Sequence, residues 1–560
     1  MDVSTAPASE ADLVHQRRWL TLVVLCLSLV TVILGNTVLN VALPTLAREL
    51  DATSTQLQWM VDAYALVFAG LLLTGGALGD RFGRKGALQI GLAIFGTGSL
   101  LSTMATTADH LIATRALMGV GAALVMPATL SILTNVFPPQ ERAKAIAIWA
   151  GLAGSGAAIG PIAGGWLLEH FWWGSVFLLN VPVVIVALAA GRVLVPRSSD
   201  PAHPPLDPRG ALLSVVGLGA LLYAIIEAPS HGWTDVRTVL AFAFAVAVLA
   251  TFGWWERRAE HPMLDLDLFR DRRFTAASAA ITLTFFAMFG TFFLLTQYLQ
   301  LVVGYSAFQA GLRTLPMALS MMVVAPSSAR VVERFGARRV IVTGLLLVTA
   351  GLLSLSLLDA STPYFRLALS LVVLALGMGL TMPPSTTLIM TSLPLGKAGV
   401  GSAVNDTTRE LGGALGVAIL GSLLASSYKS GLSSALDGVP APAVEAARSS
   451  LGGALAVAER LGGGVGGALG DAARSAFVDG LGIAVLVGAA MTLLGAAFVA
   501  WYLPGGRSAD VAAGAEPRPA ETTDPQVPPV LDPNRSPETR SPETLAPESV
   551  LAGEPMVDPA

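Results

Sequence analysis

Long apolar runs broken by short polar intervals dominate the chain, and their length sets the first expectation. A helix needs about 20 mostly apolar residues to cross the hydrocarbon core of a bilayer. Fourteen windows meet that need, at 19–42, 58–78, 87–106, 110–134, 144–166, 174–195, 210–229, 237–256, 274–302, 310–331, 339–358, 364–391, 401–425 and 479–502. The pattern predicts an all-α polytopic membrane protein with 14 transmembrane helices. The first window is too long for a signal-peptide core and follows Arg17 and Arg18, so it reads as a retained helix.

The polar intervals alternate in charge. Arg81, Arg84, Lys85, Arg142, Lys144, Arg197, Arg209, Arg257, Arg258, Arg270, Arg272, Arg273, Arg334, Arg338 and Arg339 all fall on one side. The short loops opposite, near 107–109, 167–173, 230–236, 303–309 and 359–363, hold no Lys or Arg, and Arg48 is the exception. The positive-inside rule then places both termini in the cytoplasm, in a multi-pass protein of the inner (plasma) membrane. Two segments fall outside the windows. Residues 426–478, rich in Ala, Gly and Ser, read as an extracytoplasmic loop with a helix at 443–461. Residues 503–560, rich in Pro, Glu and Ser with RSPET repeated at 535–539 and 540–544, read as a disordered cytoplasmic tail.

The chain also echoes itself. Asp80-Arg81-Phe82-Gly83-Arg84-Lys85 returns as Glu333-Arg334-Phe335-Gly336-Ala337-Arg338, and the Gly-rich run around Gly160 returns around Gly416, both about 255 residues on. Two homologous six-helix halves with two inserted helices explain the offset, and parallel halves of this kind hold a substrate site at the midplane between them. The expected organisation is a cytoplasmic N-terminus (1–18), an N-terminal bundle (19–195), a linker with two extra helices (196–273), a C-terminal bundle (274–502) and the tail (503–560).

Composition narrows the function. Hydrophobic residues make up 53% and charged residues 13%, about half the roughly 25% charge of soluble domains. The net charge of −4 leaves no nucleic-acid footprint, and the single Cys26 allows no intrachain disulfide or thiolate metal site. No Walker A sequence is present, which points to an ion gradient as the driving force. No paired Ser/His/Asp, no HExxH and no metal-ligand cluster stands out, so the sequence implies neither an enzyme nor a cofactor or metal.

Three motifs bear on mechanism. The loop from Gly76 through Asp80, Arg81, Gly83 and Arg84 joins tight-turn glycines to charges at a membrane surface, the makings of a conformational latch between two states. Gly156, Gly160, Pro161 and Gly164 put small residues four apart beside a helix-bending proline, so helix backbones can touch. Arg115 lies inside the fourth window, where a charge costs about 2.5–3.5 kcal/mol even on the lenient insertion scale. It either tunes protonation of a carboxylate or acts as a structural hydrogen-bonding hub.

The first loop matches the major facilitator signature, and the Gly160-Pro161 helix closely resembles the motif that marks its antiporters. Arg115-Ala116-Leu117-Met118-Gly119 resembles the family's membrane arginine motif, with Met118 where glutamine is common. Thr37–Pro44, Phe177–Pro182 and Gln297–Gln300 extend the match. Together they resemble the fourteen-helix drug:proton antiporters of the major facilitator superfamily, the QacA/EmrB-type multidrug exporters. The resemblance implies export of lipophilic, cationic small molecules such as quaternary ammonium compounds and dyes in exchange for protons, by a monomer in contact with membrane lipids.

Proton coupling needs acids in a partly dry cleft. Asp62 in the second window is one candidate, against a snorkelling interfacial acid. Asp406 and Glu410 in the thirteenth are others, four apart and so on one helix face, against a helix-end cluster neutralised by Arg409. Asn36, Tyr64, Trp149 and Tyr298, with Phe285, Phe289 and Phe292, are candidate substrate contacts. One departure stands out: Gly35 occupies the place where the family usually carries an acid, five residues before Asn40. Either the other acids take over, or fewer protons move, or the substrate is not cationic. Export of an endogenous metabolite or antibiotic is the alternative, and a non-transporting sensor or scaffold is the reading from another class.

Overall fold

A bilayer leaves no water for backbone amides, so each apolar window has to close its hydrogen bonds within itself, and each one is helical. The computed structural model describes residues 10–505, apart from 200–206, 263, 393–397 and 437–438. Certain side chains within 10–15, 139–158 and 398–403, and that of residue 442, also lie outside the description. The proline-rich tail with its RSPET repeat lies outside the described residues.

The N-terminal bundle comprises α1 (Glu10–Glu49), α2 (Ser54–Phe82), α3 (Arg84–Thr103), α4 (Ala108–Val136), α5 (Pro139–His170) and the broken pair α6 (Ser175–Leu178) and α7 (Asn180–Leu194). Two inserted helices follow, α8 (Pro208–His231) and α9 (Val236–Glu256). The C-terminal bundle comprises α10 (Arg272–Gln297) with a π-helical turn at Tyr298–Val302, α11 (Ala307–Arg313) leading into α12 (Leu315–Phe335), α13 (Ala337–Leu355), α14 (Tyr364–Thr391), α15 (Ala398–Leu432) and α18 (Gly463–Tyr502). Among the described residues, 13 helical spans are long and apolar enough to cross a membrane. The remaining window, 144–166, is filled by α5, whose 32 residues extend about 48 Å at 1.5 Å per residue.

The internal echo is structural. Gly83 (φ 115°) turns α2 into α3, and Gly336 (φ 81°) turns α12 into α13. Both lie in the positive-φ region that glycine adopts without steric cost. Likewise Gly160 of α5 presses on Thr37 of α1, and Gly416 of α15 presses on the Phe286 carbonyl of α10. First and fifth helices of each bundle therefore meet closely at a glycine, which lies against a side chain in the first bundle and against backbone in the second. The two glycine turns mark one end of the molecule, here the turn end.

The other end is capped by α16 (Ala441–Ser449) and α17 (Leu451–Leu461), which join α15 to α18. The expected loop at 426–478 is corrected here. α15 runs on to Leu432 and α18 starts at Gly463, so most of that stretch is helix. Ala, Gly and Ser lower the apolarity that a window search registers, yet alanine is the strongest helix former. The expected helix at 443–461 is two helices, parted at Ser450, whose hydroxyl accepts from the Gly453 amide at 3.0 Å and caps α17. At this hairpin end Ser54 donates to the Ser449 carbonyl (2.8 Å), and Tyr428 donates to the carbonyls of Ala447 (3.0 Å) and Ser450 (3.3 Å).

The bundles meet along a seam of α2, α15 and α8. Ala65, Leu222, Ile225, Ile226, Ala414 and Ala418 form its buried apolar cluster. Ser422 of α15 donates to the Ile225 carbonyl (2.9 Å), and Val215 of α8 packs onto Gly70 of α2. The first inserted helix is thus part of the seam.

Candidate functional site

Asp62 lies eight residues past the start of α2, about 12 Å along its axis from the hairpin end. It is 0% exposed, and neither carboxylate oxygen has a hydrogen-bond partner among the described residues. The alternative of a snorkelling interfacial acid is corrected, because the side chain faces the seam. Glu410 lies twelve residues into α15, about 18 Å from the turn end. Both acids line one small cavity with Asn36, Phe289, Ala65 and Ala414. Its free volume of about 10 Å³ is on the scale of a single water, far below a drug-sized site. The seam is closed around its acids in this conformation. Asn36 adds a buried side-chain oxygen without a hydrogen-bond partner among the described residues. One polar group from each of α1, α2 and α15 therefore converges where the bundles meet. An ionised carboxylate held out of water without a partner costs several kcal/mol, so the charge of this cavity is tied to whatever enters it.

Asp406 and Glu410 part company despite their spacing. Asp406 accepts from Asn405 (3.2 Å) and pairs with Arg409 at 3.6 Å. Arg409 also donates to Thr386 (3.2 Å) and lies 5.5 Å from the Phe285 ring centroid. Asp406 thus belongs to a local cluster one turn nearer the turn end, and Glu410 alone reaches the cavity.

Arg115 is fully buried and ties three helices. It donates to the carbonyls of Gly35 on α1 (2.8 Å) and Met60 on α2 (3.0 Å), and its guanidinium lies 4.4 Å from the Tyr64 ring centroid. These bonds go to backbone, the geometry of a structural hub. At Gly35 it is therefore a backbone carbonyl that meets Arg115.

The expected latch is engaged within its own bundle. Asp80 accepts from Arg84 (2.7 Å) and from Ser131 of α4 (3.1 Å), Gly76 sits against Pro127, and Arg81 stacks 5.4 Å from the ring of Phe82. In this conformation these contacts of the latch stay within the N-terminal bundle. The closed contacts between bundles lie at the hairpin end. Gly165 presses on the Ala307–Phe308 backbone of α11, Gly311 presses on the Pro161 carbonyl, and Gln300 donates to the Val41 carbonyl (2.9 Å). Gly160 and Gly164 pack against Thr37 and Val38. The surroundings of Gly156 lie outside the described residues.

Three expected cavity residues sit elsewhere. The Tyr64 hydroxyl donates to the Val32 carbonyl (3.4 Å), and the ring lies under Arg115. Tyr298 donates to the Asp359 carbonyl (2.6 Å) at the hairpin end. Trp149 packs on the core from α5, with its indole nitrogen buried and unpartnered among the described residues. Four lining residues were not anticipated: Ala65, Gly413 and Ala414 follow Asp62 and Glu410 by three or four positions, so helical periodicity from the two acids would have found them, whereas Val61, next to Asp62 in the chain, carried no such signal.

A family model described as Major Facilitator Superfamily matches residues 25–417. The multidrug efflux pump LfrA of Mycolicibacterium smegmatis is 39% identical, over 86% of this chain and 96% of its own length. The tetracenomycin C resistance and export protein of Streptomyces glaucescens is 34% identical, over 88% and 93%. The methyl viologen resistance protein SmvA of Salmonella typhimurium is 35% identical, over 85% and 97%. Among solved structures, a bacterial homologue of the human lysosomal transporter Spinster in its inward-facing, occupied conformation superposes with a TM-score of 0.61 at 17% identity, over 86% of this chain and 96% of that one. Paired bundles, a repeated glycine turn and a seam carrying one acid from each side are thus accompanied by relatives that match nearly end to end, and the chain belongs to the major facilitator superfamily.

Proposed function

We propose that the protein is a proton-coupled antiporter that exports lipophilic cationic drugs by alternating access. The observation that carries this reading is the shared cavity of Asp62 and Glu410, one acid from each bundle, at the seam. A dry carboxyl site holds a proton or a cation, and a site that cannot hold both must exchange them. Rocking of the bundles about the seam presents the site to one side of the membrane at a time. The turn end, with Arg81, Arg84, Lys85, Arg192, Arg197 and Arg338, is the cytoplasmic face by the positive-inside rule. The closed hairpin end then bars the acids from the outer side in this conformation, with the Asp80 latch at the cytoplasmic end.

Everted vesicles test the proposal. An imposed pH gradient should drive dye uptake into them, and a protonophore should abolish it. With the electrical potential clamped at zero, each coupled proton multiplies the attainable dye gradient about tenfold per pH unit. Asp62→Asn and Glu410→Gln should each lower that dependence. Wild-type coupling in both variants would sink the assignment. A second reading, export of one antibiotic, is favoured by Gly35 in place of an acid and by relatives named for resistance to tetracenomycin C, methylenomycin A and puromycin. Growth of a pump-deficient host on quaternary ammonium compounds and on those antibiotics separates the two.

A further inference from the structure

A second cavity lies at the turn end, away from the seam. It is a cleft of about 900 Å³ between the α2–α3 turn and the chain leaving α7. Arg81, Lys85, Arg192 and Arg197 line it together with Gln89 and Ser198, and no carboxylate is among its described lining residues. The nearest latch acid, Asp80, is already held by Arg84 and Ser131.

Two further features separate the cleft from a bare rim of anchoring cations. The Gln89 side-chain nitrogen and the Ser198 hydroxyl are both buried and have no hydrogen-bond partner among the described residues. Buried donors left unpaired are costly and native proteins seldom keep them, so their presence beside four cations points to an acceptor that completes them. The walls are also fixed. The Arg84 amide donates to the Ser198 carbonyl (2.9 Å), and Lys85 donates to the Arg192 carbonyl (2.8 Å), pinning the last turn of α7 and the chain after it to the start of α3. That single bond leaves the Lys85 ammonium two more donors to offer.

We propose that this cleft binds a phosphate-bearing anion, the headgroup of an anionic phospholipid at the membrane surface or free phosphate. A phosphodiester offers several acceptor oxygens and one negative charge. Arginine forks and an ammonium answer both, and basic clefts between transmembrane helices take such headgroups. A zwitterionic lipid carries its own ammonium into the same field and is disfavoured.

The test uses the full chain, purified in detergent with equal phosphatidylglycerol and phosphatidylcholine, with retained lipid counted by native mass spectrometry. Wild type should retain phosphatidylglycerol preferentially. The double variant Arg192→Gln/Arg197→Gln should lose that preference, by about fivefold per charge removed. Arg270→Gln, an exposed residue paired with Asp267 (2.9 Å), should not change it. A parallel arm measures thermal stabilisation by millimolar inorganic phosphate. Stabilisation that vanishes in the double variant, without any phosphatidylglycerol preference, assigns the site to free phosphate. Equal retention of both lipids by wild type and double variant, with no variant-sensitive stabilisation by phosphate, overturns the proposal.

Discussion

Arg115 offers the sharpest test of how the N-terminal bundle is held together. Arg115→Met keeps the volume and removes the charge. The variant loses two charge-assisted bonds, to Gly35 and Met60, at about 1.5–3 kcal/mol each, and a stacked contact with Tyr64 of about 2 kcal/mol when desolvated. Against this, it no longer bears the roughly 2.5–3.5 kcal/mol of holding a guanidinium at depth. The net loss should be about 2–5 kcal/mol, seen as a fall of several degrees in apparent Tm in detergent, with transport falling in proportion to folded protein. Arg115→Lys should be intermediate, because one ammonium cannot bridge both carbonyls and stack as a plane. Wild-type stability for Arg115→Met together with abolished efflux would refute the reasoning and show that the charge itself takes part in proton movement.

Three further outcomes follow from the geometry. Glu410→Gln should impair gradient-driven efflux more than Asp406→Asn, since only Glu410 reaches the cavity; equal effects in the vesicle assay would remove that distinction. Gly160→Ala should cost about 1–3 kcal/mol by overpacking, because its new methyl meets the Thr37 side chain, and a thermal melt reads this directly. Cysteines replacing Ser54 and Ser449, which are hydrogen-bonded at the hairpin end, should crosslink with a short bifunctional thiol reagent and arrest efflux; full activity after crosslinking would mean that this end need not open.

The membrane-spanning skeleton was legible because a bilayer admits so few solutions: windows of sufficient apolar length are helices. Asp62 was legible as an acid where acids are expensive. Its partnership with Glu410 was not, because the two residues stand on different bundles and meet only once the seam is built. Nor could spacing say which of Asp406 and Glu410 faces that seam, since the answer turned on Arg409 and Asn405 capturing Asp406. Tyr64 and Tyr298 misled for a related reason. An aromatic in a helix reads as a cavity wall, yet each hydroxyl had found a backbone carbonyl within its own bundle. The hairpin end was hidden by composition, because alanine and glycine build helices there without the apolarity by which spans are counted.

The inserted helix α8 has unequal holds on its two neighbours. Toward α15 it is bonded through Ser422 to Ile225, through Lys429 to Pro229 (3.3 Å) and Ser230 (3.2 Å), and by Trp233, just beyond its end, to Ser426 (3.2 Å). Toward α2 it has apolar packing, Leu222, Ile225 and Ile226 around Ala65 and Val215 on Gly70, with one long hydroxyl contact, Thr55 to Ser230 at 3.4 Å. Rocking of the proposed kind would therefore carry α8 with the second bundle and slide it over α2, where apolar surface rather than hydrogen bonds has to yield.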